Sequence, residues 1–419
     1  MKGLPQTGDK LTRAEFTVML VQAAELPAPT GPVTLPLDVP ANAWYAEILK
    51  TALAKGVVKG TAGNTFSPNQ PITQAQAVVL VSRVLGLPGV PAPGQLTTPV
   101  PNNHWAFVPF TWLVKDGIVD ASVPPDIVLT PVAGATLLEK VFGSAREAKD
   151  IAAKSKSAQA GIKTTRVTGT MSMSMQPNPA VQVQGMPTNM NMQAKVAMEM
   201  NLDQGFHQQF TMTILGLPQP MPSMEIEQYM VAEGMYMKIK DPITGEQKWF
   251  KMPEGTMPNF VELMKQQSTL MQLPKELEDL FRYRLLGEKT IGSNTFYELA
   301  FYGNIPDLAQ FMNLVGAQAG LSPELKKSFE QTSSLISGIS MSGKMLVNKD
   351  NYLTDSLNGS AVVTFADQFQ GQAFPLKSIA AQLNFNYKDY NANIEIKLPE
   401  AAAKAEVIPS AQTGTPLSK

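Results

Sequence analysis

One spacing constrains this chain more than any other feature. Thr12, Ala14, Val18, Leu26 and Pro27 recur 61 positions later as Thr73, Ala75, Val79, Leu87 and Pro88, and Trp44, Gly56 and Val58 recur at the same distance as Trp105, Gly117 and Val119. Two interleaved sets at one offset mark an internal repeat. A repeat of this length copies a small supersecondary unit that cannot bury its own apolar faces, so the copies are expected to pack on one another. Residues 1–145 divide accordingly into a half-repeat (10–26), a full repeat (37–87) and a degenerate repeat (100–142), joined by Pro/Gly-rich segments. The first copy begins at its second helix.

The full repeat reads as helix, loop, helix. After the Asp38-Val39-Pro40 turn, Trp44, Ile48, Leu49, Ala52 and Leu53 recur at three and four, the period of one helix face, and Gly56 provides a stop. Thr73 precedes a second apolar run with Gln76 three residues on, which is the spacing of a capping box.

Asp38-Val39-Pro40, Trp44, Gly56-Val57, Phe66-Ser67-Pro68 and Ile72-Thr73-Gln74-Ala75-Gln76 follow one another as in the S-layer homology repeat, which this stretch resembles. The resemblance implies a location more than an activity: a secreted, extracellular protein held at the cell wall or cell surface. Such domains bind a pyruvylated secondary cell-wall polysaccharide between repeats. By that likeness Arg13, with Thr12 and Glu15, pairs with the acidic sugar, while Asp38, Trp44 and Trp105 shape the groove. A guanidinium suits a carboxylate because its planar donors engage both oxygens. The second copy has Gln74 where the family has arginine, the third has Pro131, and Pro99 replaces the third turn aspartate. Trp44 and Trp105 equally suit the core of a helical array. Arg13, at an exposed helix start, would have no packing role.

Composition closes several routes. The 419 residues, 44% hydrophobic, suffice for two cores. With 34 basic against 35 acidic residues there is no electrostatic footprint for nucleic acid. Cysteine is absent and only His104 and His207 are present, which argues against disulfides, metal centres and histidine triads. No apolar run is long enough for a transmembrane segment, and no signal peptide is expected within this chain. No cofactor and no enzymatic role are expected.

Residues 146–161 are Ala/Lys-rich and read as a connector helix. From residue 162 to 400 the period becomes two. Thr168, Thr170, Ser172 and Ser174 alternate with Met171, Met173 and Met175; Met190, Met192, Ala194, Val196, Met198 and Met200 share one face of the next segment, and Phe210, Met212, Met235 and Met237 continue the pattern. Such alternation predicts an antiparallel sheet with one wet and one apolar face. Helices are expected over 259–284 and 305–337, a last strand over 393–398, and a disordered tail over 401–419. The fold class is therefore α plus α+β, a helical repeat array followed by a curved antiparallel sheet enclosing helices.

The hairpin at Asn348–Leu353 and the Phe385-Asn386-Tyr387 … Tyr390-Asn391 … Ile394-Glu395-Ile396 stretch make this part resemble the LolA/LppX-type lipoprotein-carrier fold. That likeness implies a half-barrel whose concave face holds a lipid or other hydrophobic ligand. Eighteen of the 23 methionines lie between Met171 and Met271. Unbranched thioethers fill irregular space and re-pack easily. Three uses are open: an ordinary core between sheet and helices, a groove for an acyl chain, and a soft-metal site for Cu(I), for which only His207 is near. A structural surface-layer or filament subunit, self-associating and without a ligand, is the rival to ligand binding.

Overall fold

The computed structural model describes residues 9–60, 63–92, 96–178, 180–181, 191–217, 221–240, 245–253, 280–306, 308–309, 334–369 and 371–407. The chain divides into two compact units. The first comprises Met1–Asp150 with the short segments Arg282–Leu285 and Phe301–Asn304; the second comprises the remainder.

In the first unit, helices α1 (Arg13–Ala23), α2 (Ala46–Ala54), α3 (Gln74–Leu85), α4 (Phe107–Lys115) and α5 (Pro131–Phe142) follow the repeat boundaries. α1 packs against α2 and α5, and α3 against α4, so partners come from different copies. Phe16, Leu20, Leu49, Phe66, Ile72, Phe110, Trp112, Leu113 and Leu138 are buried here. The start of each second helix is set by the same threonine. Thr12 and Thr73 form full capping boxes with Glu15 and Gln76, whereas Thr130 accepts from the Ala133 N–H with proline at the first helical position. α2 and α4 stop at Gly56 and Gly117, with φ of 65° and 67°, a conformation that side-chain-bearing residues adopt at a cost.

The copies are tied by their backbones. Leu11 N–H donates to Leu129 O at 2.8 Å, Ile72 N–H to Leu11 O at 2.8 Å and Leu129 N–H to Ile72 O at 2.9 Å. Each of these residues immediately precedes a capping threonine, so three equivalent positions close a ring of three hydrogen bonds. Arg13 N–H donates to Gln70 O, and Gln74 N–H to Ile127 O, docking each helix start on the loop of the following copy. At the third copy Pro131 has no N–H to place.

In the second unit a twelve-strand sheet runs in the order β14-β6-β5-β4-β3-β2-β1-β13-β10-β9-β8-β7. Its strands are β1 (Thr164–Pro177), β2 (Asn191–Asn201), β3 (Gly205–Leu215), β4 (Met224–Val231), β5 (Gly234–Lys240), β6 (Gln247–Lys251), β7 (Phe281–Ile291), β8 (Asn294–Ile305), β9 (Ile336–Asn348), β10 (Thr354–Phe365), β13 (Leu376–Lys388) and β14 (Glu406–Val407). β11 (Gln368–Phe369) and β12 (Gln372–Ala373) form a separate small hairpin. The large sheet is curved and open, with β14 and β7 as its edges. The chain enters it through α6 (Ala145–Gln159).

Four expectations from sequence are corrected. Of the helix expected over 259–284, Phe281–Arg284 belong to β7, because from Phe281 onward aromatic and aliphatic residues alternate with Arg282 and Arg284; residues 259–279 lie outside the described residues. Of the helix expected over 305–337, only the ends are corrected, Ile305 ending β8 and Ile336 opening β9; Leu308 and Ala309 are helical as expected, and 310–333 lie outside the described residues. Asn393–Leu398 is not a strand. Its backbone is satisfied by side chains instead of a ladder: Asn201 Nδ2 donates to Ile394 O at 2.8 Å and Ile396 N–H to Gln204 Oε1 at 2.7 Å. Of the tail expected to be disordered over 401–419, residues 401–407 are structured, and 408–419 lie outside the described residues. Helix α7 (Glu400–Ala403) buries Ala402 in a cluster with Tyr229, Val231, Tyr236, Ile394 and Ile396, and β14 pairs in parallel with β6.

Candidate functional site

Each unit presents one surface with a chemical character of its own. In the helical unit the candidate groups are arranged around the buried Phe66. Asp38 accepts from the backbone N–H groups of Phe66 and Ser67, both at 2.7 Å, and so fixes the loop between α2 and α3. Burial works to raise the Asp38 pKa, but these backbone hydrogen bonds and the nearby Arg13 charge outweigh it and hold the group below its ordinary value.

Arg13 stands differently from the expectation. It is only 8% exposed, not displayed at a free helix start. Its Nε donates to Phe66 O at 3.0 Å and its guanidinium lies over the Phe66 ring, 5.2 Å from the centroid. Desolvation first, and the Arg83 charge second, lower its pKa. Arg83 is itself anchored by donation to Val57 O at 3.0 Å, and burial lowers its pKa.

Arg83 lies in the last turn of α3, where a cation suits the helix dipole, and nothing in the sequence marks it beyond that ordinary role. Thr12 and Glu15 are engaged with each other, Thr12 Oγ1 donating to Glu15 Oε2 at 2.7 Å, so they act on the helix start. Trp44 and Trp105 are 48% and 61% exposed, which removes the core alternative for both indoles. His104 accepts the Ala106 N–H through Nδ1 at the entry to α4.

In the sheet unit, register brings the alternating residues together. Met173 pairs with Met192 and Ala381, Met171 with Ala194 and Leu383, and Met175 with Ile379. Across β2 to β4, Val196, Phe210 and Ile226 are opposite one another, as are Ala194, Met212 and Met224. Met200, Phe206, Met230 and Met235 form a further row. On the other side of β1, Leu383, Gly359 and Gly343 continue one row, and Ala381, Ala361 and Met341 another. One apolar face thus crosses from β9 to β5 without a break in parity.

Met171, Met173, Met175, Met192, Met198, Met200, Phe210, Met212, Met235 and Met237 are all half-buried on it. Met190 lies outside the described residues. On this face of β1–β5 no charged residue stands.

The opposite face is polar along β1–β3 and turns apolar on β4 and β5 at the Tyr229–Val231–Tyr236 cluster. A chain of charges runs from Asp389 through Arg166 to Glu199, with contacts of 3.0 and 2.7 Å, and His207 Nε2 lies 3.2 Å from Glu227 Oε1. His207 also stacks on Tyr229 at 4.3 Å between centroids. It is thus turned away from the methionines, which separates the thioethers from the imidazole that a copper site would have recruited. Among the described residues no group of three His, Cys, Asp or Glu side chains is placed to hold a metal ion. No described helix is long and apolar enough to cross a membrane.

A repeat-bearing helical unit joined to an open, two-faced sheet defines the class, and residues 37–78 match the S-layer homology domain. Residues 147–407 match the family described as "Family of unknown function (DUF6612)", and with more than half of the chain matched, the protein belongs to it. The N-terminal part is similar to a cellulosome-anchoring protein of Acetivibrio thermocellus, 31% identical over 101 residues, covering 23% of this chain and 22% of that protein. It is also similar to the S-layer protein sap of Bacillus anthracis, 30% identical over 79 residues, covering 19% of this chain and 10% of that protein. The chain thus spans less than a quarter of the length of these relatives.

Solved structures similar to the chain include LprF from Mycobacterium bovis, 13% identical with a TM-score of 0.31, covering 61% of this chain and 97% of that one. The Mycobacterium tuberculosis lipoprotein LppX is 10% identical with a TM-score of 0.29, covering 60% and 99%. The fold is defined by its own strand order and register.

Proposed function

We propose that this is a cell-surface binding protein whose helical unit attaches to an acidic secondary cell-wall polysaccharide and whose sheet unit takes up a lipid or other apolar ligand. The role is binding, not catalysis. What carries the reading is the apolar face: ten named side chains of one parity, mostly methionine, none fully buried. A face of this kind re-packs around ligands of varied shape. On the helical unit, support comes from the residue types offered, the guanidinium of Arg83 and the exposed indoles of Trp44 and Trp105, which suit a carboxylate-bearing sugar.

Two measurements test the two halves. Protein purified from a lipid-containing host is examined by native mass spectrometry and titrated with the fluorophore N-phenyl-1-naphthylamine; a bound lipid or saturable dye uptake is expected. If neither is found, the sheet is a structural subunit of a surface layer. Wall attachment is measured by sedimentation with purified sacculi. Trp44→Ala and Arg83→Ala are expected to reduce the pelleted fraction several-fold while leaving the thermal transition in place, and pelleting equal to wild type would remove both from the site. Arg13→Ala is a poorer probe than its sequence position suggested, because its burial makes a folding defect the first consequence.

A further inference from the structure

Within the uncharged face of β1–β5, where Thr165 is the other polar side chain of this parity, one pair of amides meets. Gln208 of β3 and Gln228 of β4 are directly opposite in register, flanked in the same row by Met198 and Met237. Gln208 Nε2 donates to Gln228 Oε1 at 3.0 Å, and this is the one hydrogen bond described for either side chain. Gln228 is only 5% exposed.

Each amide carries a carbonyl and an NH2, so one mutual bond leaves the Gln208 carbonyl and both Gln228 N–H groups unused. Turning both amides over leaves the same kinds of group unused. Among the described residues no side-chain polar atom that is sealed from solvent lacks a partner. The unused Gln228 nitrogen is therefore not fully sealed from solvent. Placing amides here is costly unless something completes their hydrogen bonding, and an apolar residue would continue the row at lower cost.

We propose that the Gln208–Gln228 pair is the head-group anchor of the methionine face, selecting an amphiphile whose head is uncharged and both donates and accepts hydrogen bonds, of the acylglycerol kind. This rests on the reading of that face as a ligand surface. A carboxylate head is disfavoured because no cation shares the face in these strands to offset its desolvation, and an ester alone leaves the Gln208 carbonyl without a donor.

The test uses the full chain with bound N-phenyl-1-naphthylamine displaced by 1-monopalmitoylglycerol, palmitate at pH 8 or methyl palmitate, each below its micellar concentration. The wild type is expected to release dye at about tenfold lower monoacylglycerol than palmitate or methyl palmitate. The double variant Gln208→Leu/Gln228→Leu is expected to bind dye as before and to lose the preference. Equal competition by all three in the wild type overturns the proposal, and the wild-type series stands even if the double variant does not fold. A preference retained in the folded double variant also overturns it. Absence of dye binding in the wild type overturns the apolar-ligand reading itself and this anchor with it, and so differs from a dye that binds but is displaced without head-group preference.

Discussion

Asp38 is a small residue with a large local task, since its two carboxylate oxygens hold the backbone of Phe66 and Ser67. Asp38→Ala removes both acceptors and is expected to cost about 1–3 kcal/mol in chemical denaturation. The sign of its pH dependence follows from a folded-state pKa below the ordinary carboxylate value. The contribution is complete above the unfolded pKa and is lost as the pH falls through the folded one, so wild type and variant should converge in stability only in acid. In the sheet, Gly169 stands where a Cβ would meet Asn384 O at 2.0 Å and the Phe385 ring at 2.6 Å. Gly169→Ala should lower stability by about 1–3 kcal/mol, read as a lower thermal midpoint. At this scale the sequence was readable where chemistry alone places a group, as at Thr73, and unreadable where placement depends on distant partners. Arg13 was expected to be exposed because nothing local reveals that Phe66 will lie beneath its guanidinium.

Among the elements, period decided what could be foreseen. The strict alternation of β1 to β5 and the three-four spacing of α2 and α3 translate directly into the observed strands and helices. β7 and β8 were missed because their apolar residues follow a segment with helical spacing, and the change of period falls inside it. The 393–398 segment shows the converse failure: alternation implied a strand, yet its partners are Asn201 and Gln204 side chains and the cluster around Tyr229. Ile394→Ala is expected to cost about 2–5 kcal/mol by equilibrium unfolding, as for a core position. An effect near zero would return this segment to the status of a loose tail.

For the molecule as a whole, the 61-residue repeat and the switch to period two were legible as two kinds of architecture, but their boundary was not. Arg282–Leu285 and Phe301–Asn304 belong with the helical unit although they are coded far downstream. Within that unit Tyr302 is buried and its hydroxyl donates to Asp116 Oδ2 at 3.0 Å, with burial and the Asp116 charge raising its pKa. A fragment ending at residue 150 lacks Tyr302 and should melt at a lower temperature than the same unit in the full chain, as calorimetry would show. The Leu11–Ile72–Leu129 ring carries a last consequence. An open stack of repeats can gain or lose a member at its end and remain a shorter stack, but a closed loop has no end. Deleting any one copy opens a gap that both survivors feel, so this array should resist the duplication and trimming by which solenoids change length, and its copy number behaves as a fixed property of the fold.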